Sequence, residues 1–115
     1  MNTGKLTVND MICLGQAWNA AIVRVGDISL IKVNGNDVTL WRNGGEPVTT
    51  RCSLAHCKQR LPEQFFAAGR NYMVNLAEVV KVDMATRTFV LTMKDGTQVT
   101  VSRLQSLLFR KQFSL

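Results

Sequence analysis

Turn-forming clusters divide this chain into short pieces. Asn34-Gly35-Asn36-Asp37, Asn43-Gly44-Gly45 and Lys94-Asp95-Gly96-Thr97 each pair glycine with asparagine or aspartate. These residues tolerate positive φ, so they favour tight hairpins. The apolar runs between them are too short for core helices but long enough for strands. Val38-Thr39-Leu40-Trp41 alternates with period two, as one face of a strand does. Met11–Leu14, Ala21–Val25, Ser29–Val33, Val48–Cys52, Val79–Val82, Phe89–Met93 and Gln98–Val101 read as further strands. Ala17-Trp18-Asn19-Ala20 suits a turn, and Gly26-Asp27-Ile28 interrupts the pattern. Two stretches read as helix. Ser53 suits an N-cap, and Leu54, Cys57 and Leu61 behind it form an apolar stripe that Pro62 ends. Ser102 suits a second cap, for a C-terminal helix that carries Leu104, Leu107 and Leu108 on one face and offers Arg103, Arg110 and Lys111 to solvent. The reading is a mainly β domain of about ten short strands with short helices.

The 115 residues suffice for one domain and one core. With 46% hydrophobic and 19% charged residues, the composition is globular rather than disordered. No apolar run approaches the roughly 18 residues of a membrane helix. Met1-Asn2-Thr3-Gly4-Lys5 lacks the apolar core of a signal peptide. A cytoplasmic protein without membrane contact is expected.

Charge is unevenly spread. Residues 1–57 hold 5 basic and 4 acidic side chains, a net +1, whereas residues 58–115 hold 9 and 4, a net +5. A basic half with few acids points to nucleic acid or another acidic partner. A solvated basic face that aids solubility is the plainer alternative.

Little in the chain suits catalysis. His56 is the only histidine, and Cys57 beside it projects to another side of the helix. Cys52, His56 and Cys57 supply three metal-binding types, but no fourth ligand lies at a finger spacing. There is no phosphate-cradling glycine motif and no paired carboxylates, so neither cofactor nor metal is expected. Cys13, Cys52 and Cys57 make an odd count, which argues against a disulfide framework. Trp18 and Trp41 read as structural, and Phe65, Phe66, Tyr72 and Val74 as core.

The order of motifs in the second half resembles the LytTR family, the DNA-binding output domains of bacterial response regulators. The motifs are Leu61-Pro62, Phe65-Phe66, Arg70-x-Tyr72-x-Val74-Asn75, Asp95-Gly96 and Val101-Ser102-Arg103. Upstream, Gly26-Asp27-Ile28 and the helix start at Ser53-Leu54 also match in order. The resemblance covers about residues 20–112 of a chain taken as a single domain over 1–115. It implies an elongated LytTR-type β-sandwich that inserts loops, rather than a recognition helix, into successive DNA grooves.

The resemblance further implies that base contacts come from Asn36 and Asp37 in the loop before Val38, from Arg70 and Asn71, and from Arg103. The chain departs from the family pattern at one of these places. Where Arg-x-His-Arg-Ser usually precedes the tyrosine, it has Ala67-Ala68-Gly69-Arg70-Asn71. Asp37 repels phosphates. It either accepts from a cytosine amino group or caps the turn.

Arg103 stands out because a cation at a helix start is disfavoured by the dipole, and a phosphate or base would offset that. Arg can also bond guanine bidentately. Gly69 would let the backbone approach a partner closely. Ser102, Gln105 and Ser106 on the first turn of the last helix are expected to offer N–H groups to a phosphate, with Arg110 and Lys111 adding charge. Asn75 caps the turn at Leu76-Ala77.

The expected function is sequence-specific binding of double-stranded DNA by a transcriptional regulator at promoter repeats, with a homodimer on tandem half-sites. About 115 residues leave no room for a receiver or membrane sensor, so a receiver or sensor protein is a candidate partner. The alternative is a protein-interaction or adaptor module with weak or no specific DNA binding.

Overall fold

The computed structural model describes residues 11–115. The Met1–Lys5 segment read above for a leader lies outside them. Ten strands form three antiparallel sheets. Strands β1 (Met11–Gln16) and β2 (Asn19–Arg24) make a hairpin of their own. The central sheet has the order β5-β4-β3-β7-β6, from β3 (Ile28–Asn34), β4 (Asp37–Arg42), β5 (Val48–Arg51), β6 (Phe65–Ala67) and β7 (Tyr72–Asn75). The third sheet has the order β10-β9-β8, from β8 (Val79–Ala85), β9 (Thr88–Met93) and β10 (Gln98–Thr100). Helix α1 (Leu54–Arg60) precedes β6, and α2 (Arg103–Phe113) follows β10.

Strand pleating sends alternate residues to opposite faces, and the central sheet uses both. On β3, Ile31 enters one core and Leu30 the other; on β7, Met73 and Val74 divide the same way. The first core joins that sheet to the β1–β2 hairpin through Leu14 and Val23, and to α1 through Cys57. The second joins it to the third sheet through Leu91, Met93 and Val99, and to α2 through Phe109. Among the described residues there are therefore two cores in three layers, where one core was expected.

Most local expectations hold. The Ser53 side chain accepts from the His56 N–H at 3.1 Å, and α1 ends at Leu61 before Pro62. Gly35 has φ +63° at the first central position of the β3–β4 hairpin, where only glycine sits without strain. Asn75 is fully buried and more than a cap. Its Oδ1 accepts from Ala77 N–H and from Gln64, and its Nδ2 donates to the Ile28 carbonyl at 2.9 Å.

One expectation fails. Helix α2 does not bury its leucine stripe: Leu104, Leu107 and Leu108 are exposed, and Ser106 and Phe109 face inward. The cause is an aromatic cluster. Phe109 packs at 5.4 Å from Phe66 and 5.2 Å from Phe89, and each such pair adds about 0.5–1.5 kcal/mol beyond area burial. The tryptophans, read as structural, lie at the surface, each with a cation over its ring. Trp18 is 71% exposed beneath Arg51, and Trp41 lies half exposed beneath Lys32 at 5.5 Å. Both cations arrive from other strands.

Candidate nucleic-acid interface

Three loops carry the candidate side chains, and backbone hydrogen bonds join them in a row. The first is the β3–β4 turn. Asn34 through Asp37 are exposed there, and the Asn36 carbonyl accepts from Cys52 N–H at 2.9 Å. Asp37 forms an ion pair with Arg51 at 3.7 Å, across the β4–β5 ladder that places these residues opposite each other. That ion pair spans β4 and β5 at the surface, and does not itself cap the β3–β4 turn.

The second loop, Ala68–Asn71, connects β6 to β7. Val33 N–H donates to the Asn71 carbonyl at 2.7 Å, which ties this loop to the end of β3. Arg70 and Asn71 are exposed. Gly69 has a different duty from the one expected. It is buried, its N–H points to the Tyr72 carbonyl, and a Cβ on it would lie within 2.8 Å of the Tyr72 ring. The close approach that glycine allows here is to Tyr72 and not to a phosphate. Tyr72 in turn donates its hydroxyl to the Thr100 carbonyl, and partial burial raises its pKa.

The third is the start of α2. Ser102 N–H donates to the Ala68 carbonyl at 2.8 Å, so the helix start is fastened to the Arg70 loop. The Ser102 hydroxyl accepts from Gln105 N–H at 3.3 Å, and Ser106 N–H donates to the Ser102 carbonyl. The N–H groups of Ser102, Gln105 and Ser106 are therefore used within the fold. The two remaining side chains are also engaged. Gln105 Nε2 donates to the Ala67 carbonyl at 2.5 Å, and buried Ser106 accepts from Phe89 N–H and points to the Val101 carbonyl. Gly69, Ser102, Gln105 and Ser106, the residues expected at a phosphate, thus already have partners within the fold, where they set the loop positions.

Arg103 remains free. It is exposed, it opens α2, and no acid shares its first turn. The ion pairs among the described residues are Arg51–Asp37, Lys81–Asp83 and Lys94–Glu78, so Arg70, Arg103, Arg110 and Lys111 have no carboxylate partner there. Arg110 and Lys111 sit in the last turn of α2, where the dipole favours cations. That is about 10 Å along the axis from Arg103, at 1.5 Å per residue. Arg110 lies over the Phe89 ring at 5.9 Å.

Sequence reasoning missed Arg87. The β8–β9 hairpin turns at Thr86 and Arg87, with Thr86 at φ +59°. Thr86, Arg87 and Thr88 line a shallow depression of about 360 Å³ together with Arg103, and neither arginine has a carboxylate partner among the described residues. Without glycine or asparagine in that turn, the sequence carried no hairpin signal there. A second depression of about 380 Å³ runs between Asn71, Lys32, Gln98 and Thr100. Among the described residues, no group of three His, Cys, Asp or Glu is placed to hold a metal, and no helix is long and apolar enough to cross a membrane.

The arrangement defines a three-layer β scaffold with exposed arginines and amides on loops locked to one another by the backbone. A family model, the LytTr DNA-binding domain, matches residues 19–114, and the chain belongs to that family. Among solved structures, a chain described as the LytTr DNA-binding domain of a putative methyl-accepting/DNA response regulator from Bacillus cereus is similar in fold. Its TM-score is 0.77 at 20% identity, and the match covers 92% of this chain and 98% of that one. No curated protein sequence matches.

Proposed function

We propose that this domain binds double-stranded DNA sequence-specifically and acts as a transcriptional regulator in the cytoplasm. The observation that carries the reading is Arg103. It is an exposed cation without an acidic partner among the described residues, set against the helix dipole and fastened through Ser102–Ala68 to the loop that bears Arg70 and Asn71. Such a position is unfavourable in isolation and becomes favourable when an anion or a guanine edge meets the guanidinium. Arg103, Arg70, Asn71 and Asn36 would read bases, while Arg87, Arg110 and Lys111 would hold the phosphate backbone. Asp37, next to Asn36, pairs with Arg51 across β4 and β5. One module of this size buries limited area, so tight binding would use two copies at promoter repeats. A receiver or sensor protein would supply the signal.

The exposed leucines of α2 favour a second reading, an adaptor that binds protein. Salt separates the two, since DNA affinity falls with log salt by about 0.9 per phosphate contact and an apolar interface barely responds. The test is selection from random duplexes by the purified domain and by Arg103→Ala. Enrichment of one short motif, relaxed at one base pair in the variant, supports base readout, with an expected loss of about 1–3 kcal/mol in discrimination. Full affinity and unchanged specificity in Arg103→Ala would overturn the reading.

A further inference from the structure

Strand β8 ends the third sheet, and every residue from Val80 to Ala85 is exposed. Among the described residues it pairs only with β9. A free strand edge is a template for another strand unless charges, prolines or a cover prevent pairing. Here the charges favour one partner in particular.

Directly opposed residues on neighbouring strands share a face. Val82 opposes Leu91, and Met84 opposes Phe89. The apolar side chains of β8 therefore continue the face that is core on β9, yet Val82 is 38% and Met84 47% exposed. Leu107 of α2 lines the same depression as Met84 and Phe89, with the Arg110 guanidinium between strand and helix. On the other face, Lys81 and Asp83 lie two residues apart, 3.7 Å from each other.

We infer that β8 is the interface for a second copy of this chain, in an antiparallel pair centred on Val82. In that register Val82 meets Val82, each Lys81 meets the Asp83 of the other copy, and Val80, the bulged residue between Val79 and Lys81, lies across from Met84. The segment Val80-Lys81-Val82-Asp83-Met84 is thus self-complementary under a two-fold axis, as an isologous interface requires. Neighbouring registers are penalised. Centring on Lys81 or on Asp83 sets a charge against itself, and a parallel in-register pair sets like charge on like. The pairing joins two three-stranded sheets into six strands, removes both open edges and covers Val82 and Met84. It ends before the Thr86–Arg87 turn, so Arg87 stays outside it, while Arg110, whose guanidinium reaches the Met84 sulfur at 3.5 Å, borders it. Dimerisation of the free chain does not require DNA reading, and either can fail without the other.

The test is sedimentation equilibrium of the whole chain, without DNA, up to submillimolar concentration. The wild-type protein is expected to dimerise. Lys81→Asp sets a new carboxylate against the Asp83 of the other copy, and Asp83→Lys sets a new ammonium against its Lys81. Each variant should lose dimer affinity by about tenfold or more. Mixed in equal amounts, the two variants should form a heterodimer, because one copy then offers two acids and the other two bases. The double variant Lys81→Asp/Asp83→Lys should restore the homodimer. Both positions are exposed, and unchanged far-UV circular dichroism would confirm the fold of each variant. A wild-type monomer at every concentration, a dimer indifferent to the single charge changes, or two variants that fail to pair when mixed would each overturn the inference.

Discussion

Replacing Gly69 by alanine tests how the candidate loop is held. Nothing in the backbone of Gly69 forbids a side chain, since its φ lies outside the left-handed region. The obstacle is Tyr72, whose Cδ1 would lie 2.8 Å from the new Cβ, with Cε1 and Cζ closer still. The ring is part of the second core's edge and its hydroxyl bonds the Thr100 carbonyl, so it cannot move without cost. Overpacking of this kind costs about 1–3 kcal/mol, and the lost hydrogen bond adds about 0.5–1.5 kcal/mol. Gly69→Ala should therefore destabilise by roughly 2–4 kcal/mol, lowering the melting temperature by on the order of 10 °C for a domain of this size. Tyr72→Phe, which removes only the hydroxyl, should cost about 1 kcal/mol. The decisive comparison is a double-mutant cycle followed by urea unfolding. In a Tyr72→Ala background, Gly69→Ala should cost under about 0.5 kcal/mol, because the clashing atoms are gone. An undiminished cost in that background would refute the steric account and move the role of Gly69 to its backbone.

Other consequences are equally direct. Asn75→Ala leaves the buried Ile28 carbonyl and Ala77 N–H without their partners, and should lower unfolding free energy by about 2–4 kcal/mol in urea titration. Cys13 is exposed, whereas Cys52 and Cys57 are buried with their sulfurs 3.4 Å apart. A maleimide should label one thiol of the native protein and three after unfolding, as mass spectrometry would show. Burial first, then the bond to Cys52, pushes the Cys57 thiol up to about 12 from 9.0. Between those values the native state keeps a proton that the unfolded chain has released. This group's contribution is therefore lost as pH rises from about 9 toward 12, with a slope of up to about 1.4 kcal/mol per pH unit. Cys57→Ala should flatten that part of the stability profile in urea midpoints taken at successive pH values.

Local rules were enough wherever a residue's own chemistry dictated its conformation. Asn34-Gly35 and Asp95-Gly96 announced hairpins because few other residues accept their dihedral angles, and Ser53 and Ser102 announced helix starts because their hydroxyls can satisfy free N–H groups. The alternating strands, the mainly β class and the exposed arginines after Gly69 and Ser102 followed from the same reasoning. Tertiary structure decided what depends on partners distant in sequence. Phe109 turned α2 over because Phe66 and Phe89 wait beneath it, and no periodicity within the helix could reveal them. Thr86 adopts a left-handed turn without a sequence signal because the paired strands β8 and β9 impose it, and that brings Arg87 to Arg103. Gln105 and Ser106 turned inward for the same reason, toward carbonyl and amide groups supplied by other strands. Conformational preferences act over a few residues, whereas packing and charge depend on which surfaces the fold brings into contact.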